Sequence, residues 1–229
     1  MSNVIGIDGC RAGWIVTKIL DNQALSFQII HDLNDEYLKN NTLSHIGIDI
    51  PLGLSPNGKR IAEIEARFLL KKRACTIFSP PTINALKANN YIEACEINFK
   101  ECGKRISKQS WNLFPKIIEA QKFLENNLVK KLKVFEIHPE LSFMAMNNMN
   151  LVLESKKTII GKKIRIKLIK RFFPSFSFEL VRKKYNKNEV LDDDILDSIS
   201  VVWSTQRIVD NIAQFVPKEP EKNNMKIYF

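Results

Sequence analysis

The chain has 229 residues, 45% apolar and 26% charged, with nine prolines and eight glycines. These proportions fit one globular domain large enough to bury a core without staples, and they exclude collagen-like and low-complexity classes. Lys plus Arg is 35 and Asp plus Glu is 25, a net charge of +10, and charges or prolines interrupt each apolar stretch before it reaches membrane-spanning length. Residues Met1 to Asp8 lack the basic start and apolar run of a signal peptide. Cys10, Cys75, Cys95 and Cys102 form no Cys-x-x-Cys pair, so reduced thiols are expected, without a zinc knuckle or a disulfide framework. The expected setting is cytoplasmic, with no membrane contact.

Val4 to Asp8 reads as a short strand followed by a Gly9–Gly13 turn. Trp14 to Leu20 and Leu25 to Ile30 read as two more strands, with Asp21-Asn22 as the hairpin signal between them. Residues 31–43 predict a short helix, and His45 to Ile50 a buried strand stopped by Pro51. Helices are expected at 61–73, 84–101 and 115–129, the first two separated by Ser79-Pro80-Pro81. A brief strand at 134–137 precedes a basic helix at 161–173. A long amphipathic helix is expected at 192–213, with Ile195, Ile199, Val202, Val209 and Ala213 as its apolar stripe. Residues 225–229 read as a late strand after a polar linker at 218–224. The expectation is one α/β domain over 1–229, with a helical insertion at about 59–130.

Acids placed in apolar strands carry the functional argument. Gly6-Ile7-Asp8 and Gly47-Ile48-Asp49 are the same tripeptide near the ends of two apolar runs. Alternation puts each Asp on the face of its Gly, and a buried carboxylate is costly without a partner. Glu136 repeats the pattern in Val134-Phe135-Glu136-Ile137. At the start of the last helix, Asp192, Asp193 and Asp194 suit a helix N-terminus, whereas Asp197 lies a turn further in, at i, i+3 from Asp194. Four converging carboxylates repel one another unless cations sit among them, and hard oxygen ligands suit Mg²⁺ or Mn²⁺. Two such ions about 4 Å apart activate water and stabilise the leaving oxygen in phosphodiester cleavage.

Charge is unevenly spread. Between Ser155 and Lys187 there are twelve basic residues and one acid, Glu179 before Lys187, while the first 56 residues hold six acids and three basic residues. A basic segment beside carboxylates predicts a polyanionic partner, DNA or RNA. Some residues have plainer readings. His138 suits a loop histidine bonding the backbone, Glu140 a helix cap and Trp111 a core position. Cys10 lacks a histidine placed to make it a nucleophile.

Six runs, Gly6–Trp14, Ile48–Gly53, Gln109–Ile117, Glu136–Glu140, Ser155–Gly161 and Asp193–Asp197, resemble in order the motifs of domain-of-unknown-function family 429, which is labelled an RNase H-like nuclease. The resemblance implies an RNase H-like fold: a mixed five-stranded sheet of three antiparallel hairpin strands, then parallel strands, with metal-binding acids on the first strand, the fourth strand and the last helix. It implies a metal-dependent nuclease with Asp8, Asp49, Glu136 and Asp194 as catalytic metal ligands, and Asp197, Glu140 and His138 as further candidates. Lys156, Lys157 and Arg165 would face phosphate, and Gln109 and Trp111 would position a base or sugar. The chain departs from the family pattern at Thr82 and Gln121, both outside the acid set. Two other classes remain. One is a catalytically silent nucleic-acid-binding module, which has no use for four acids. The other is an actin-like or kinase-type nucleotide-binding protein, which needs two such domains and a Gly-rich adenosine motif.

Overall fold

The computed structural model describes residues 3–39, 42–126, 132–219 and 225–229. Strands β1 (Val4–Cys10), β2 (Gly13–Ile19), β3 (Leu25–Ile30), β4 (His45–Ile48) and β5 (Lys133–Glu136) form one sheet in the order β3-β2-β1-β4-β5. The pairs β1–β2 and β2–β3 are antiparallel, whereas β1–β4 and β4–β5 are parallel. This is the expected mixed five-stranded sheet flanked by helices. The turn into β2 needs Gly13, whose φ is +131° and whose absent Cβ would lie 2.4 Å from the Ile30 carbonyl oxygen.

Helices α1 (Ile61–Leu70), α2 (Tyr91–Cys102), α3 (Lys108–Asn112) and α4 (Phe114–Glu125) come between β4 and β5. Helices α5 (Pro139–Met146), α6 (Ile159–Phe172), α7 (Phe178–Lys184) and α8 (Asp192–Val209) follow β5. A short antiparallel pair, β6 (Phe215–Val216) with β7 (Ile227–Tyr228), closes the chain, and Tyr228 bridges to Ile137 beside β5. Among the described residues no helix is long and apolar enough to cross a membrane.

Three local differences from the sequence reading have clear causes. Among the described residues of 31–43 there is a 3-10 turn at Glu36–Lys39 in place of a helix. There the Asp32 and Asp35 carboxylates accept the amides of Asn34 and Tyr37 at 2.8 and 2.9 Å, and these local bonds compete with a helix. The helix expected at 84–101 starts only at Tyr91, because the Asn90 side chain caps it by accepting the Glu93 amide at 3.0 Å. Helix α7 was not expected, whereas α5 is the helix for which Glu140 reads as a cap; it opens directly behind β5, with Pro139 and Glu140 in its first turn. The end of the helix expected at 115–129, and most of the linker at 218–224, lie outside the described residues.

Two cores sandwich the sheet. On one face Ile5, Ile7, Ile46 and Ile48 pack against Phe114, Ile117 and Ala120 of the insertion. The other face meets α8, and here two glycines matter. A Cβ on Gly6 would sit 2.2 Å from the Val202 amide nitrogen, and one on Gly47 would sit 2.0 Å from Thr205 Oγ1. The helix therefore lies directly on the backbone of β1 and β4. Gly6→Ala should cost about 3 kcal/mol through overlap with helix backbone. Gly103→Ala, which meets nothing within 4 Å but has φ +71°, should cost about 1 kcal/mol. Urea unfolding of both variants measures the difference.

Candidate acidic site

The two Gly-Ile-Asp tripeptides lie side by side. Gly6 pairs with Gly47 and Ile7 with Ile48, and the Asp49 amide donates to the Ile7 carbonyl at 3.0 Å. The register thus carries Asp8 next to Asp49, both on the α8 face. Asp8 is buried and accepts the Gly9 amide at 2.8 Å. From α8, Asp197 is 1% exposed, and Lys156 Nζ donates to its Oδ2 at 2.5 Å while lying 3.6 Å from Asp193. Asp197 Oδ1 is buried with no hydrogen-bond partner. Asp194 is half-buried and accepts the Leu191 amide at 2.8 Å, so it caps α8 as well as facing the group.

Crowding raises the acids above the ordinary carboxylate range. Burial raises Asp8, and Asp49, Asp197 and Asp194 push it further. Burial followed by Asp197 brings Asp49 to about 8. Burial raises Asp197 to about 6, although Lys156 pulls it down. Asp194 is raised by burial against the opposing Leu191 amide. Burial opposes the Lys156 ammonium, but Asp197 and Asp8 outweigh it and hold its pKa above the usual lysine value.

Glu136 stands apart. It pairs with Ile48, so it shares the Ile48 face and not the Asp8 face. There Arg60 binds both its oxygens at 2.9 and 2.8 Å, and the Leu52 amide adds 2.9 Å. Arg60 also pairs with Glu63 at 3.1 Å, so Glu136 belongs to a buried ion cluster. Arg165 is likewise not a surface cation. It is fully buried, holds Glu140 at 2.7 and 2.9 Å and donates to the Glu154 and Gly161 carbonyls. Arg73 adds a second cation to Glu140 at 3.3 Å. His138 lines a small cavity with Asp49 and Glu136. Burial lowers its pKa to about 4, so it is neutral at pH 7.

Trp111 packs into the insertion core, 4.8 Å from Phe114 and 6.1 Å from Tyr91 between ring centroids, whereas Gln109 is exposed on a cavity in the insertion. Lys156, Lys157 and Lys162 line a groove of about 380 Å³ beside Asp193. Lys162 pairs with Asp192 at 2.9 Å, while Lys157 and Lys163 are exposed. Cys10 is buried and its thiol is pushed up to about 11 by burial, which leaves it unreactive. Lys116 went unassigned in the sequence reading. Its ammonium donates to the Gly13 carbonyl, lies 4.0 Å from the Trp14 ring centroid, and feels Cys10, Asp8 and Asp194. The only sequence signal for it is its position within the Gln109–Ile117 run.

A divalent ion is the cofactor this donor set suggests. The buried, unpartnered Asp197 oxygen and the mutual repulsion of Asp8, Asp49 and Asp197 fit a hard cation in kind. Among the described residues, however, no three His, Cys, Asp or Glu side chains are arranged to hold an ion. Lys156 supplies the positive charge instead.

A family model described as protein of unknown function, DUF429, matches residues 6–222. No curated protein and no solved structure matches the chain.

Carboxyls whose pKa is raised on folding contribute stability below their unfolded value of 3.8, and that contribution is lost as pH rises through the folded value. Without divalent metal, the melting temperature should therefore fall between pH 5 and about 8 as Asp197 and then Asp49 ionise. Asp49→Asn should flatten the upper part of that slope. Separately, Arg165→Met should cost about 3–5 kcal/mol by breaking a buried pair, measurable by urea unfolding.

Proposed function

The chain belongs to this family, and from that premise we propose that it is a metal-dependent phosphodiesterase with an RNase H-like fold, cleaving DNA or RNA. The observation that carries the reading is the meeting of Asp8 and Asp49, adjacent in register, with Asp197 and Asp194 of the final helix. The strand order β3-β2-β1-β4-β5 with a last acid-bearing helix supports the fold. Asp8, Asp49 and Asp197 would hold Mg²⁺ or Mn²⁺ only after Lys156 leaves Asp197 and the three carboxylates close in, since as they stand they are not arranged around an ion, with Asp194 next to them and Glu136 left to its Arg60 pair. A bound ion would supply an activated water and a sink for charge on the phosphate.

The chain's own residues prepare that chemistry. Asp49, with its raised pKa, keeps a proton at neutral pH that must leave before it ligates. Lys156 neutralises Asp197 and holds the acids together, and its release would free the second oxygen of that carboxylate. Lys157 and Lys163, exposed and in no ion pair among the described residues, offer their ammonium groups to the substrate backbone. A second reading, a silent nucleic-acid-binding module, is favoured by two observations: Lys156 takes the place of the cation, and among the described residues no three acids are arranged to hold an ion.

Cleavage of labelled single- and double-stranded oligonucleotides in Mn²⁺ separates the two. Asp8→Asn and Asp49→Asn should each lower the rate by at least about a thousandfold. Oligonucleotide binding without any cleavage or Mn²⁺-dependent melting shift would favour the silent module. Calorimetry in two buffers of different ionisation enthalpy should show proton release on Mn²⁺ binding, with affinity rising from pH 6 to 8. Replacing Lys157 and Lys163 by Ala should reduce the slope of log affinity against log salt by about one per lost contact.

A further inference from the structure

The helical insertion contains a cavity of about 440 Å³ that the acidic site does not use. Two glycine turns build it. Gly58, at φ +66°, brings the chain ahead of α1 so close that a Cβ would lie 3.0 Å from Cys102 Cβ. Gly103, at φ +71°, ends α2 and starts the loop that covers the cavity. Buried Asn98 fixes that loop, donating to the Lys104 carbonyl at 2.7 Å while accepting the Thr82 amide at 2.9 Å. The Asn98 side chain thus gives the cavity wall a fixed polar frame, so the cavity is preformed.

Its lining carries five cations, Lys59, Arg60, Arg67, Lys104 and Arg105, against the single acid Glu63. Arg60 is committed to Glu63 and Glu136, and Arg67 to the Ile77 carbonyl and Ser79. Lys59, Lys104 and Arg105 are exposed, and among the described residues no carboxylate forms an ion pair with them, although Arg105 lies over the exposed Phe99 ring, 5.7 Å from its centroid. Ile64, Ile77, Phe78 and Ile106 supply apolar wall. Glu63, Ile77 and Phe78 also line the small cavity that reaches Asp49 and His138. The basic cavity therefore abuts the acidic end of the sheet.

We propose that this cavity binds one nucleotide of the substrate strand, with its phosphate on Lys59, Lys104 and Arg105 and its base against Ile64 and Phe78. A volume of this size suits a mononucleotide, and exposed cations without carboxylate partners among the described residues, beside an apolar wall, match a phosphate joined to a planar base. That the nucleotide belongs to a strand being cleaved rests on the nuclease reading; the binding itself does not.

The test is calorimetric titration of the full chain with AMP, UMP, adenosine and inorganic phosphate, at low salt and in chelator so that the acids stay metal-free. Both monophosphates should bind, and adenosine and phosphate should bind much more weakly. Lys104→Ala with Arg105→Ala should weaken AMP binding by about tenfold or more, with an unchanged melting temperature. Lys59→Ala serves as an independent variant if the double one does not fold. Asp8→Asn should bind AMP as the parent does, which separates this inference from the cleavage assay: failure to cleave with AMP binding intact would count against the nuclease reading alone. The proposal is overturned if AMP does not bind, if phosphate or adenosine binds as tightly as AMP, if the cation variants bind AMP like the parent, or if Asp8→Asn abolishes binding.

Discussion

The approach of α8 to the bare backbone of Gly6 and Gly47 is the constraint on which the rest depends. Side chains at those positions would occupy space held by the Val202 amide and Thr205 Oγ1. With the helix this close, small polar residues complete the contact: Thr17 and Ser198 meet at 2.7 Å, and Ser204 and Ser142 at 2.8 Å. These bonds give the buried Thr17 and Ser204 hydroxyls their partners, while Ser198 and Ser142 also donate to the Ile195 and His138 carbonyls. The same approach draws the first turns of α8 over the end of β4, where Asp49 follows the last strand residue, and over Asp8, which stays within β1 opposite Ile15. Packing and the gathering of the acids are thus one event.

Buried charge is distributed around that contact in three groups. Arg60 joins Glu63 and Glu136, Arg165 joins Glu140 beside Arg73, and Lys156 joins Asp197. Removing charges from water costs several kcal/mol each, so such groups persist only with good geometry and further hydrogen bonds. Arg165 meets that condition with four bonds to Glu140 and two carbonyls. Asp8 and Asp49 are different. Among the described residues neither forms an ion pair, and their cost is expressed as raised pKa values. Their repulsion is relieved by whichever positive charge joins them, a proton or a cation.

The sequence determined a good deal by local means. Alternating apolar runs located the sheet strands, and the paired Gly-Ile-Asp tripeptides indicated two acids on one face, because side-chain parity is a property of the strand itself. Asp197, one turn beyond the capping acids, was legible for the same kind of reason. Glu136 was not, since its face depends on its pairing with Ile48, and a shift of one residue in register reverses every side chain. Arg165 sits in a basic run expected to face phosphate, yet α6 turns that side chain into the core. Lys156 meets Asp197 across 41 residues of sequence, and the insertion cavity gathers residues from Gly58 to Gln109. Periodicity and capping are written in neighbouring residues, whereas partners for buried charge are chosen only when distant segments pack. That is why the sequence alone identified the acids, and only the tertiary structure separated those held by cations from those left facing one another.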